Sequence, residues 1–162
     1  MSFGLRDLED ILGSTVAADS PPGLPGEAAP PAPPLNWPAR GQVTSGFGWR
    51  VFNGRPNFHT GVDVAARFGT PAQATGAGLV VGSGWQPGYG LSVLVQHSGG
   101  YHTLYAHLSE LLVGVGDTVV LGTAVGLVGS SGNSTGPHLH YEIWKDGELR
   151  DPRPFMDGHP SQ

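Results

Sequence analysis

His138-Leu139-His140-Tyr141-Glu142-Ile143-Trp144 alternates without a break. On an extended strand successive side chains point to opposite faces, so Leu139, Tyr141 and Ile143 share one face and His138, His140 and Glu142 the other. The apolar face takes the core, and the stretch reads as a strand of a β domain. Both histidines then project together away from that core, about 7 Å apart along the strand. A lone histidine is more often a satisfied core or surface residue than a ligand. Two at this spacing make a ligand pair a serious reading.

Working outward, short strand candidates recur at 61–65, 79–85, 91–97, 101–108, 118–121, 124–128 and 138–145, punctuated by glycine. Ser98-Gly99-Gly100 and Asp146-Gly147 have the chemistry of hairpin turns. Beyond residue 40 there is no helical pattern of useful length, and no internal repeat at a fixed period. With 27 Gly and 15 Pro in 162 residues, this predicts a mainly β fold in one antiparallel domain spanning residues 41–156.

The flanks read differently. Leu5, Leu8, Ile11 and Leu12 recur at helical spacing, so the tail 1–17 contains a candidate short helix, either a docking segment for a protein partner or a frayed end. Residues 18–40 are rich in Pro and Ala and read as an extended, semi-rigid linker. Residues 157–162 are a C-terminal tail. No apolar run approaches the roughly 18 residues of a membrane span. Arg6, Asp7, Glu9 and Asp10 stand where a signal peptide needs an apolar core, so no export signal is expected in this stretch.

A formal net charge of -5 supplies no basic surface for neutralising phosphates, which excludes nucleic acid as a partner and disfavours an anionic membrane surface. With no cysteine, disulfides, thiolate nucleophiles and Cys-type zinc sites are excluded, and any metal must be held by His, Asp or Glu.

Two further clusters bear on such a site. In His59-Thr60-Gly61-Val62-Asp63 a histidine and a carboxylate four apart share a face of an extended segment and can grip one metal, particularly if Gly61 lets the chain bend. In Tyr101-His102-Thr103-Leu104-Tyr105-Ala106-His107, alternation places His107 with Tyr101, Thr103 and Tyr105, and His102 with Leu104, Ala106 and Leu108. His97 at a turn edge and His159 in the tail are not expected to act. Asn133-Ser134-Thr135 reads as a polar loop able to form one groove edge.

In this order, His-x-x-x-Asp, Tyr-Ala-His-Leu and Gly-Pro-His-Leu-His resemble the lysostaphin and LytM-domain family of zinc endopeptidases. Gly46-Phe47-Gly48-Trp49-Arg50, Gly69-Thr70-Pro71 and Gly116-Asp117-Thr118-Val119 add to the likeness, which covers roughly residues 43–156. The resemblance implies an antiparallel sheet with an open groove and one zinc ion with a bound water. By the same resemblance His59, Asp63 and His140 would be the metal ligands, and His107 and His138 the catalytic, non-ligand histidines beside it. Two His and one carboxylate do leave a tetrahedral zinc one open position. Glu142, on the histidine face, is a candidate support for a ligand.

The implied function is hydrolysis of peptide bonds in bacterial peptidoglycan, at the cell envelope or outside the cell. Glycyl-glycine-cleaving relatives often carry a tyrosine shortly before His-x-x-x-Asp, and residues 51–58 have none. Stem-peptide cross-links are therefore the expected substrate. The alternatives are a non-catalytic LytM-like regulator of cell-wall hydrolases and a virion-associated lytic component. A biotinyl or lipoyl carrier is disfavoured, because the one lysine, Lys145, has no flanking Met.

Overall fold

The structure, a computed structural model, describes residue 34 and residues 36–156. The readings of residues 1–17, most of the linker, and His159 lie outside the described residues. Twelve strands follow in order: β1 Gln42–Ser45, β2 Gly48–Phe52, β3 Arg55–His59, β4 Val62–Ala65, β5 Pro71–Gln73, β6 Gly78–Gln86, β7 Gly90–Gln96, β8 Tyr101–Leu111, β9 Thr118–Val119, β10 Ala124–Val128, β11 His138–Lys145 and β12 Glu148–Arg150. Among the described residues no helix is long and apolar enough to cross a membrane.

The main sheet runs β1-β4-β11-β8-β7-β6-β9, with β10 pairing β5 and β8, and β12 pairing β11. Every pairing is antiparallel. The expected β class stands, and each expected strand forms within a few residues of its anticipated ends. Beyond them the structure adds β1, β5, β12 and a separate two-stranded hairpin, β2–β3. That hairpin turns on Asn53-Gly54, whose φ angles of 54° and 77° are the left-handed values an Asn-Gly turn supplies at low cost. Its strands carry exposed Trp49 and Val51 and a proline, Pro56, so no core alternation announces them.

β11 is central and explains the fold from its own pattern. Its apolar face packs into the main core: Tyr141 stands opposite Tyr105 of β8, with ring centroids 5.4 Å apart. Their hydroxyls are satisfied by Thr75, at 2.8 Å for Tyr141 and 3.1 Å from the Thr75 backbone N–H to Tyr105. Leu139, Ile143, Val62 and Val64 complete this layer. The opposite face of β11 is covered as well, since His140 and Glu142 are both buried. β11 is thus a strand buried on both faces through much of its length, as central strands of covered sheets are.

Simple alternation fails in β8. His107 does not share a face with Thr103 and Tyr105. Between Val93↔Tyr105 and Leu91↔Leu108 the register slips, so three steps on β8 match two on β7. The extra residue makes a bulge, and His107 takes φ 62°. Leu108 rejoins the core face with Tyr105, while the His107 ring lies 5.9 Å from that of His140, on the histidine face of β11.

Candidate metal centre

Asp63 of β4 and His140 of β11 are direct cross-strand partners, and β3 delivers His59 at its last residue. One ligand atom from each of His59, Asp63 and His140 lies within 4.8 Å of the others. His59 Nε2 is 3.2 Å and His140 Nδ1 2.9 Å from Asp63 Oδ1. The remaining nitrogen of each ring is committed elsewhere. His59 Nδ1–H donates to the Gly46 carbonyl at 2.8 Å, and His140 Nε2–H to Glu142 Oε2 at 2.9 Å.

Those outer bonds assign the tautomers, because a carbonyl and an ionised carboxylate only accept. In neutral rings the His59 and His140 lone pairs both point at a carboxylate oxygen, which is also an acceptor. Such an arrangement needs a positive charge between its members, and two imidazoles with one carboxylate suit zinc. The electrostatics agree. Burial opposes the charged form of Asp63, yet hydrogen bonds and charge from His140 and His59 hold its carboxyl far below the usual carboxylate range. Burial likewise works against a His140 imidazolium, but Asp63 and Glu142 outweigh it and raise its pKa to about 9. Left to itself the cluster keeps a proton where a cation fits.

Glu142 is fully buried, and burial alone would raise its pKa; hydrogen bonding and charge from His140, with Thr60 and Tyr89, lower it instead. Its Oε2 accepts from the Tyr89 hydroxyl at 2.8 Å and from Thr60 as well as from His140, and its Oε1 accepts from Trp144 Nε1 at 2.9 Å. Burial and the Glu142 charge push the Tyr89 hydroxyl well above its ordinary pKa, so it remains a donor. Thr60 and Tyr89 were not legible beforehand: Thr60 sits between ligand candidates, and Tyr89 lies in a Gly-flanked turn with no pattern of its own.

His107 and His138 stand beside the trio with ring centroids 4.8 Å apart. His107 Nδ1–H donates to the Ser131 carbonyl at 2.7 Å, and His138 Nδ1–H to Gly136 at 2.8 Å, leaving Nε2 of each as acceptor. Burial depresses the His107 pKa to about 4, which keeps its ring neutral near pH 7. His138 Nε2 is 3.7 Å from Asp63 Oδ1. Ser134 Oγ lies 3.2 Å from His138 Nδ1, so the polar loop does border the site.

All five of these residues line one groove of about 370 Å³, together with Arg50, Phe52 and Asn57 of the β2–β3 hairpin and Asn133 to Thr135 of the loop. A larger open depression, about 630 Å³ beside Arg40 and Arg67, contains none of the histidines. His97 and His102 are buried away from the groove lining; His97 Nδ1–H donates to Ala77, and its Nε2 lies 2.8 Å from Thr103 Oγ1.

A family model described as peptidase family M23 matches residues 57–152. The DD-carboxypeptidase/endopeptidase Mpg of Neisseria meningitidis is 42% identical over 116 residues, covering 68% of this chain and 26% of that protein. The murein hydrolase activator EnvC of Escherichia coli is 36% identical over 120 residues, covering 74% of this chain and 28% of that protein. The chain therefore spans about a quarter of the length of these curated relatives. Among solved structures, a zinc-containing peptidase from Vibrio cholerae superposes with TM-score 0.69 at 34% identity, covering 78% of this chain and 40% of that one. The catalytic domain of lysostaphin from Staphylococcus simulans superposes with TM-score 0.59 at 34% identity, covering 74% and 90%.

Proposed function

The chain belongs to peptidase family M23, and from that premise we propose that it is a zinc-dependent endopeptidase that hydrolyses peptide bonds in bacterial peptidoglycan. It would act at the cell envelope or outside the cell, preferring stem-peptide cross-links to glycyl-glycine bridges. The observation that carries this reading is the meeting of two imidazole lone pairs with Asp63 Oδ1 in a groove that holds two further imidazoles outside that trio.

His59 through Nε2, Asp63 through a carboxylate oxygen and His140 through Nδ1 would hold the metal. Zinc so held supplies Lewis acidity, polarising a peptide carbonyl and lowering the pKa of water towards about 7. His107 and His138 each offer a lone pair at Nε2, so one can take a proton from water and pass it to the leaving amine while the other accepts a hydrogen bond from the water and orients it. The Ser131 and Gly136 carbonyls hold the two rings in this tautomer. Glu142 fixes His140 by accepting its Nε2–H, and Thr60, Tyr89 and Trp144 fix Glu142.

The similarity to EnvC favours a second reading, a regulator of cell-wall hydrolases. A regulator has no need of convergent metal ligands. Incubation of the zinc-loaded protein with purified peptidoglycans of different cross-link type, followed by sequencing of the released termini, separates the two. New termini at stem-peptide cross-links, with kcat/KM above that on pentaglycine, are expected. A zinc-replete protein that releases no termini from any wall would be a regulator, and the endopeptidase reading would fall.

A further inference from the structure

Among the described residues the groove is lined by a single guanidinium, that of Arg50, and a single carboxylate, that of Asp63. Arg50 is half-buried and is held by neutral acceptors alone: Nε–H donates to Asn57 Oδ1 at 3.0 Å, and Nη1 to Ser45 Oγ. Its Cζ also lies 5.3 Å from the centre of the Phe52 ring. Two other arginines do pair with carboxylates, Arg150 with Glu148 at 3.1 Å and Arg153 with Asp151 at 2.6 Å. Among the described residues no such ion pair involves Arg50.

A partly desolvated cation whose hydrogen-bond acceptors are neutral gains by meeting an anion. The hydrogen bonds from Nε and Nη1 fix the plane of the fork yet leave part of it open, which suits two-point contact with a carboxylate. We propose that Arg50 is a specificity residue that binds a carboxylate of the peptide substrate, a reading that rests on the peptidoglycan endopeptidase function above.

Its position sets where that carboxylate lies. Arg50 pairs across the hairpin with Asn57, and Asn57 precedes His59 by two residues on β3. Two residues along a strand are about 7 Å, so the carboxylate belongs to a residue one or two removed from the scissile carbonyl. Cross-linked stem peptides offer this chemistry from two sources, a free C-terminal carboxylate and a side-chain carboxylate. A pentaglycine bridge has neither within its run, which agrees with the expected preference.

The test uses the zinc-loaded full chain and three matched cross-linked muropeptides: one with carboxylates free, one amidated only at the C terminus, and one amidated only at the side chain. The wild type should lose about 10- to 100-fold in kcat/KM on one amidated substrate, the range for a lost charged hydrogen bond, and that substrate identifies the source. Arg50→Gln should lose a similar factor on the free-carboxylate peptide, mostly through KM, and become indifferent to amidation, with zinc content unchanged. Arg50→Lys, which retains charge without the fork, should recover part of the discrimination. A wild type that cleaves all three peptides equally overturns the proposal without reference to any variant. So does an Arg50→Gln protein that loses the same factor on all three. Failure of the wild type to cleave any of them overturns the endopeptidase reading itself, and this proposal with it.

Discussion

His107 and His138 face one another with ring centroids 4.8 Å apart, although one lies on a bulge of β8 and the other opens β11. Neither belongs to the trio whose ligand atoms converge. The Nδ1 of each is tied to a backbone carbonyl, Ser131 for His107 and Gly136 for His138, so both can present Nε2 to the same small volume.

This division predicts two classes of alanine variant. His140→Ala should lose zinc and activity together, because only two protein ligands remain. His107→Ala and His138→Ala should retain near-stoichiometric zinc while kcat falls by a factor on the order of 10² to 10⁴. Metal content and rate measured on the same preparations decide the matter. Loss of zinc in His138→Ala with retention in His140→Ala would reverse the assignment.

Glu142 accepts the Nε2–H of His140 and so aims Nδ1 at Asp63. Glu142→Gln preserves volume but removes the charge, and zinc affinity should weaken by about 10- to 100-fold. Competition with a chelator of known affinity reads this directly. Tyr89→Phe, which removes one of several donors to the same oxygen, should weaken zinc binding less. Wild-type affinity in Glu142→Gln would show that the contact does not support the metal.

Gly61 sits where a Cβ would come 2.2 Å from the Tyr141 carbonyl oxygen and 2.9 Å from Glu142 Cγ. Gly61→Ala should therefore push β4 away from β11, costing about 1–3 kcal/mol of stability. Because that pairing also joins Asp63 to His140, zinc affinity should drop with it. Urea unfolding and zinc titration of the same protein check both effects, and a stable variant with normal zinc binding would contradict the close packing.

Burial lowers the pKa of His97, and that of His102 with a smaller contribution from His97, to about 4 in each case. Both are thus neutral in the fold but become protonated in the unfolded chain below about pH 6.5. Where the unfolded state binds more protons, stability falls as pH falls. Each histidine should cost on the order of 1–2 kcal/mol between pH 6.5 and pH 5. Asp63 stays ionised and His140 protonated through that window in the fold, given a carboxyl far below its usual range and an imidazole near 9. The unfolded His140 takes up protons there while the folded one cannot, which offsets the loss by less than about 0.5 kcal/mol. Denaturant unfolding of zinc-free protein at the two pH values should show the loss; a flat profile would count against buried, neutral rings.

Much of the site was already legible along the chain. The alternation of Leu139, Tyr141 and Ile143 against His138, His140 and Glu142 depends only on local backbone period, and the strand formed as that period requires. His59 and Asp63 were visible as a pair for the same reason, and residue type alone restricted any metal to nitrogen and oxygen ligands. Tertiary structure decided the rest. A bulge arises from how β8 is matched to β7, so the face of His107 was not a property of its own segment. The choice of Nδ1 over Nε2 on His140 depends on Glu142, whose charge is made tolerable by Tyr89 from a turn 53 residues away. Arg50 reached the groove because Asn53-Gly54 folds back a hairpin that has no buried face to mark it. Periodicity is inherited from the covalent chain, but register, tautomer and groove lining follow from contacts between distant segments, which acquire their energies only once the sheet has closed.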